Sequence, residues 1–243
     1  MLSEKEAFLL QQRYYSETAG RYEDAHLQGD PEHRVAMAVL LGYLRQAEIK
    51  SVLDVGSGTG RALKEIKAAD ESIHAIGVEP SEKLRDIGYA QHGLSRDELI
   101  GGDALALDYP DDSFDVVCEF GVLHHIARPT IAVREMLRVA RKAVFISDCN
   151  NFGQGTFLAR AFKQMLNGLG LWRAFDSLRT RGRGYHWSEG DGVFYSYSAF
   201  SDLGLIREVC DHVHVMNTSG GPINASRNAA HVAVLGVKAA GAI

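Results

Sequence analysis

The chain has 243 residues, 46% hydrophobic and 23% charged, with a formal net charge of −5. That is the composition of an ordinary globular protein, long enough for one large domain with an insertion at roughly 100 to 200 residues per domain. The acidic balance argues against a general attraction to nucleic acid or an anionic membrane, and no apolar run approaches the roughly 20 residues of a membrane span. The start, M-L-S-E-K-E-A-F-L-L, lacks the basic opening of a signal peptide. Cys118, Cys149 and Cys210 are widely spaced with no C-x-x-C pair, as expected of reduced thiols in a cytoplasmic protein.

In chain order, residues 3 to 47 read as helical with a break at Gly29-Asp30-Pro31. Asp30 is placed to cap a helix that opens on Pro31, with Val35, Ala38, Val39 and Leu41 expected on its buried side. Ahead of it Tyr14, Tyr15 and Tyr22 cluster, either to pack the helix onto a sheet or to close over a ligand. Then comes S-V-L-D-V-G-S-G-T-G-R, residues 51 to 61. A short β-branched run predicts a buried strand, glycines at 56, 58 and 60 predict a tight turn, and a helix is expected from about Thr59. Glycine serves such a turn because positive φ costs it nothing and a missing Cβ lets a ligand lie on the backbone.

A second strand, Ile73 to Val78, ends at Glu79-Pro80, and Glu79 stands 19 positions after Gly60. That is close to the interval for an acid that grips ribose hydroxyls. Residues 82 to 92 predict a helix, 98 to 100 a short third strand, and Gly101-Gly102-Asp103-Ala104 follows it. Residues 109 to 119 predict a loop and a fourth strand, which empties into E-F-G-V-L-H-H-I at 119 to 126. Pro129 opens a helix over 130 to 139, and strand five is expected at 143 to 147.

Dinucleotide sites use G-x-G-x-x-G; here the spacing is G-x-G-x-G behind an acid. This closely resembles motif I of the class I methyltransferases that use S-adenosylmethionine (SAM), and the resemblance extends over about 51 to 149. It implies an α/β fold, a doubly wound, seven-stranded, mostly parallel Rossmann-like sheet. It also implies SAM as cofactor and S-adenosylhomocysteine (SAH) as product. Asp54, Gly56, Ser57, Gly58 and Gly60 match the loop motif, and Glu79 with Pro80 matches the motif II acid. Asp103 and Ala104 match the adenine position, and Glu119 and Phe120 the approach to the transfer centre. The L-x-H pattern of small-molecule methyltransferases falls on His125, with His124 beside it.

The region after strand five is too long for a plain crossover. Phe157 to Leu178 reads as amphipathic helix, Arg179, Arg181 and Arg183 form a basic patch expected to face solvent, and 185 to 198 suggests a hairpin-like loop. Phe200 to Val209 restores a helix before strand six (212 to 216) and strand seven (231 to 237). The organisation expected is thus a helical lid at 1–50, a SAM-binding domain at 51–150 and 199–243, and a substrate-binding cap at 151–198.

Transfer of a methyl group needs alignment and, for a protonated acceptor, a base. Histidine suits that task near neutral pH, and His125, failing that His124, is the expected catalytic residue, with His186 and His33 behind them. Tyr14, Tyr22, His186, Trp187, Tyr195 and Tyr197 are the expected acceptor-lining residues, with Tyr185 beside them. No metal is assigned. The partner expected is a small-molecule acceptor bearing a hydroxyl or amine, of natural-product or sugar type, with no nucleic acid and no membrane. A nucleic-acid or protein methyltransferase, and a SAM-binding protein without transfer activity, are the competing readings.

Overall fold

The computed structural model describes residues 4–27, 31–220 and 224–239, without the side chains of 4, 5, 19 and 21–27. Two helices, α1 (Glu4–Leu27) and α2 (Pro31–Gln46), precede β1 (Ser51–Val55) and α3 (Arg61–Ala69). Then follow β2 (His74–Val78), α4 (Glu82–His92), β3 (Leu99–Ile100), β4 (Phe114–Phe120), α5 (Pro129–Val139) and β5 (Ala140–Cys149). Past β5 come α6 (Phe157–Gly168), α7 (Trp172–Arg179) and a hairpin of β6 (His186–Ser188) and β7 (Gly192–Phe194). The chain closes with α8 (Leu203–Val209), β8 (His212–Asn217), α9 (Ala225–Asn228) and β9 (His231–Val237).

Seven strands form one sheet in the order β3-β2-β1-β4-β5-β9-β8. β9 runs antiparallel to both β5 and β8, and the other pairs are parallel. Parallel strands buried on both faces need apolar side chains in both directions, and alternation along each strand supplies them. Leu53, Val55, Val117, Val144 and Ile146 meet α5 and α8 on one face. Val52, Val116, Cys118, Ala143 and Phe145 meet α2 and α3 on the other. The sheet is therefore doubly wound, as the sequence predicts, and the carboxyl ends of β1, β2, β4 and β5 open along a single edge.

Two details depart from expectation. The buried stripe of α2 is His33, Ala36, Met37, Leu40, Tyr43 and Leu44, whereas Val35 is 43% exposed and Ala38 faces out. Both sets have helical period, and the sheet selects the one carrying the bulk. Phe157 to Leu178 is two helices, since Gly170 takes φ +71° and ends the first. The expected cap at Asp30 lies outside the described residues. Met37→Ala should cost about 2 to 5 kcal/mol in chemical denaturation, while Val35→Ala should fall within about 0.5 kcal/mol of wild type; equal losses would contradict the observed stripe.

Candidate functional site

The site is built from strand ends. After β1 the backbone N–H groups of Gly56 and Ser57 donate to the Val78 carbonyl at 2.8 and 3.0 Å, tying the turn to β2. Gly56 has φ +71°, and a Cβ there would sit 2.4 Å from Val122 Cγ1, so the glycine turn packs directly on the turn after β4. Gly60 at φ +80° delays α3 to Arg61.

Two carboxylates line this corner. Asp54 is buried and accepts from Ser57 Oγ at 2.6 Å; burial pushes its pKa up to about 6. Glu79 is also buried, accepts from Gly58 N at 3.0 Å and Ser81 N at 2.7 Å, and is raised to about 7 by burial. Each oxygen of Glu79 spends one lone pair on the backbone and keeps another for a hydroxyl.

Two cavities meet over these residues. The larger, about 650 Å³, is lined by Gly58, Glu79, Pro80, Asp103, Ala104 and Tyr195, with Phe8 and Leu84 among its apolar walls. The smaller, about 260 Å³, is lined by His33, Asp54, Ser57, Arg61, His124 and Asp191. Tyr15, Gly56, Phe120, Gly121 and His125 form their common wall. A nucleoside-sized apolar chamber opening on a polar one suits a ligand such as SAM. The fit rests on the positive-φ glycines at the wall and on the backbone-held acid Glu79.

The turn after β4 is a single 3-10 turn, Leu123–His125, held by Asp148 at the end of β5. Fully buried Asp148 accepts from the backbone N–H groups of Leu123 (2.8 Å) and His124 (3.3 Å) and from His124 Nδ1 at 2.7 Å. His124 Nε2 lies 3.8 Å from Asp191 Oδ2, an acid from the β6–β7 hairpin. Burial opposes a charge on His124, but the two carboxylates outweigh it and raise its pKa to about 10. The same pairing holds Asp148 and Asp191 below the usual carboxylate range against burial.

His125 behaves oppositely. Burial, then the charge on His124, lower its pKa. Its Nδ1 is 2.7 Å from the Val193 carbonyl, which only accepts, so Nδ1 carries the hydrogen. Nε2 is left with a lone pair, 3.5 Å from Asp191 Oδ1. Adjacent in sequence, one ring is pushed towards the imidazolium and the other towards the neutral form.

Several residues singled out in the sequence stand elsewhere. Glu119 is completely buried, lines neither cavity and accepts from Val122 N; along β4 it alternates with Phe120, and only Phe120 faces the cavities. Gly60 shapes the start of α3 without lining either cavity. Tyr197 is buried and donates to Asp202 Oδ2 at 3.0 Å. His186 pairs with Asp176 at 3.0 Å and stacks on Phe194, and Trp187 is 53% exposed. Tyr14 donates to the Glu189 carbonyl at 2.9 Å and lines neither cavity. Tyr185 is buried with Ala7 and Val193. The side chain of Tyr22 lies outside the described residues. Of the acceptor set, Tyr195 alone among the described side chains reaches a cavity wall.

Residues not singled out for the site complete it. Gln11 Nε2 donates to the Asp191 carbonyl at 3.1 Å and its Oε1 accepts from Val193 N at 2.5 Å, tying α1 to the hairpin. Tyr15, one helical turn on, meets the His125 ring edge-on at 6.0 Å. Their spacing of four was the available signal. His124, His125 and Asp191 also offer three metal-ligating atoms within 4.8 Å of one another, as do His124, Asp148 and Cys149.

The strand order, the glycine turn between β1 and α3, and the acid at the end of β2 are those of the class I, Rossmann-like methyltransferase fold. Residues 53–146 match the family described as a methyltransferase domain. A demethylmenaquinone methyltransferase from Roseiflexus castenholzii is 36% identical over 89 residues, covering 37% of each chain. Ajmaline N-methyltransferase from Rauvolfia serpentina is 34% identical over 100 residues, covering 40% of this chain and 34% of that one. The chain thus spans little more than a third of the length of these relatives. A SAM-dependent methyltransferase structure from Thermotoga maritima, described as a possible histamine N-methyltransferase, covers 93% of this chain and 99% of its own. Its TM-score is 0.58 at 21% identity, a likeness of fold. Among the described residues no helix is long and apolar enough to cross a membrane.

The raised pKa of His124 has a consequence for stability. Its folded value, about 10, lies above the ordinary 6.5, so pairing with Asp148 and Asp191 stabilises fully below pH 6.5 while those acids stay ionised, and is lost as pH rises towards 10. The stability advantage of wild type over His124→Asn in urea denaturation should be constant between about pH 4, above the ordinary carboxylate range, and pH 6.5, and shrink from there to about pH 10. A pH-independent difference would mean the charge pair is absent.

Proposed function

We propose that the protein transfers the methyl group of SAM to a hydroxyl or amine of a small-molecule acceptor, with His125 Nε2 taking the acceptor's proton. What carries the reading is the common wall: Gly56, Phe120, Gly121 and His125 border both a nucleoside-sized cavity and a smaller polar one. In this reading Glu79 accepts from ribose hydroxyls, Asp103 and Ala104 meet the adenine, and Asp54 faces the ammonium of the amino-acid tail. Arg61, at the mouth of the smaller cavity, suits the tail carboxylate.

Bound SAM supplies an electrophilic methyl on a sulfonium. The chain supplies alignment, which carries much of the rate in an in-line displacement, and a base. His125 fits the role because it is neutral near pH 7 and its tautomer is fixed by Val193. Asp191, 3.5 Å from Nε2, favours the imidazolium once the proton arrives. His124, already protonated, serves as a fixed positive charge that keeps its neighbour neutral.

The small-molecule class is supported by relatives named for demethylmenaquinone and ajmaline. Residues 1–50 and 151–198 are read as lid and cap respectively, because Gln11 and Tyr15 from the first and Asp191 and Val193 from the second enclose His125.

Calorimetry with SAH tests the cofactor reading. Glu79→Ala should weaken binding by about 1 to 3 kcal/mol, the range for hydrogen bonds to a charged group. Wild-type affinity should also fall as pH drops through about 7, where Glu79 gains its proton. Binding of NAD with none of SAH would overturn the proposal.

Kinetics test the base. With a hydroxyl acceptor, His125→Ala should lower kcat about 10²- to 10⁴-fold with little change in SAH affinity. The acidic limb of the wild-type pH–rate profile should lie below pH 6.5 and vanish in the variant. Undiminished turnover in His125→Ala would leave alignment alone as the source of rate.

A further inference from the structure

The amphipathic helix of a globular protein turns its apolar stripe inward, and α6 does the reverse. Its polar residues Lys163 and Gln164 face the body: Lys163 Nζ donates to the Asn151 carbonyl and Gln164 Nε2 to the Phe152 and Arg227 carbonyls at 2.9 and 2.8 Å. Phe162 packs edge-on against Phe175 of α7, while Phe157 is 74%, Leu158 77% and Met165 52% exposed, as are Leu169 (65%) just past α6 and Leu178 (79%) on α7. A patch of this kind on an otherwise polar surface marks an interaction site.

Charge identifies the occupant. Residues 157–183 hold six basic residues and one acid in a chain that is acidic overall. The acid, Asp176, is buried and paired with His186, whereas Arg173, Arg179, Arg181 and Arg183 are exposed. Outward Phe and Leu flanked by arginines is the chemistry of a helix lying in the headgroup region of an anionic bilayer. A second copy of the same face would bring like charges together, which disfavours self-association.

We propose that the outer face of α6 and α7 docks on the surface of an anionic lipid bilayer. This stands apart from the methyl-transfer reading, since binding to lipid needs no turnover. The face is nonetheless tied to the site: Asp176 of α7 holds His186 of β6, and the same hairpin places Asp191 and Val193 against His125.

Sedimentation of the full chain with vesicles of mixed phosphatidylglycerol and phosphatidylcholine, against phosphatidylcholine alone, tests the proposal. Binding should be at least about tenfold tighter to the anionic vesicles and should weaken as salt rises. The double variant Leu158→Glu and Leu178→Glu should lose at least about tenfold in vesicle affinity. It should keep the wild-type melting temperature and SAH affinity, because both leucines point into solvent. Undiminished vesicle binding by the variant would overturn the assignment to this face. Light scattering separates the other occupants: a wild-type dimer that the variant dissociates would make the face an interface between copies. A monomer that stays in the supernatant with both vesicle types would overturn the proposal in favour of a protein partner.

Discussion

The active edge depends on one buried carboxylate. Asp148 leaves the sheet at the end of β5 and takes hydrogen bonds from two backbone N–H groups of the turn after β4 and from the His124 ring. A carboxylate with no exposed surface is tolerated only when such donors and a positive charge compensate it. Compensation here has a chemical by-product. The imidazolium that Asp148 creates lies with its ring centre 4.0 Å from that of His125 and, together with burial, keeps that second ring neutral. Structural charge balance at Asp148 and the charge state of His125 are therefore linked.

The other acids of this edge follow a different logic. Asp54 and Glu79 lie at the ends of β1 and β2 with raised pKa values, because burial is only partly offset by hydroxyl and backbone donors. Buried acids whose hydrogen-bond capacity is incompletely used favour a ligand that brings donors. Glu119, beneath the wall, is raised as well, by burial and then by the charge of Asp148. Asp54 and Glu79 thus face the cavities, while Glu119 and Asp148 hold the turn after β4.

What could be read from the sequence follows contact range. The glycine turn, Glu79 and the strands are local signals, since φ, alternation and spacing are fixed by near neighbours, and they fell within three residues of their observed places. The division of labour between His124 and His125 was not legible, because it depends on Asp148 and Asp191, acids 24 and 67 positions from His124. Gln11 was hidden for the same reason. The aromatic segment 185–198 was legible as a hairpin, but its chemistry was misplaced: Tyr185 packs with Ala7 and Val193, Phe194 stacks on His186, Tyr197 joins the sheet core, and the acid at its tip reaches the site.

The stripe on α2 and the face of α6 show how periodicity and packing part company. Periodicity states that a helix has two faces; it does not state which one meets the protein. On α2 the sheet chose the bulkier face, as burial of apolar area requires. On α6 the backbone carbonyls of Asn151, Phe152 and Arg227 take donors from the polar face instead. They lie in the 3-10 turn Asn151–Gly153 after β5 and in α9, and such carbonyls need donors wherever water is excluded. Lys163 and Gln164 supply them, and the cost is an apolar surface turned to solvent. A net charge of −5 averaged over 243 residues conceals this entirely. The local excess of arginine around those leucines is what separates a lipid-facing surface from an incidental one.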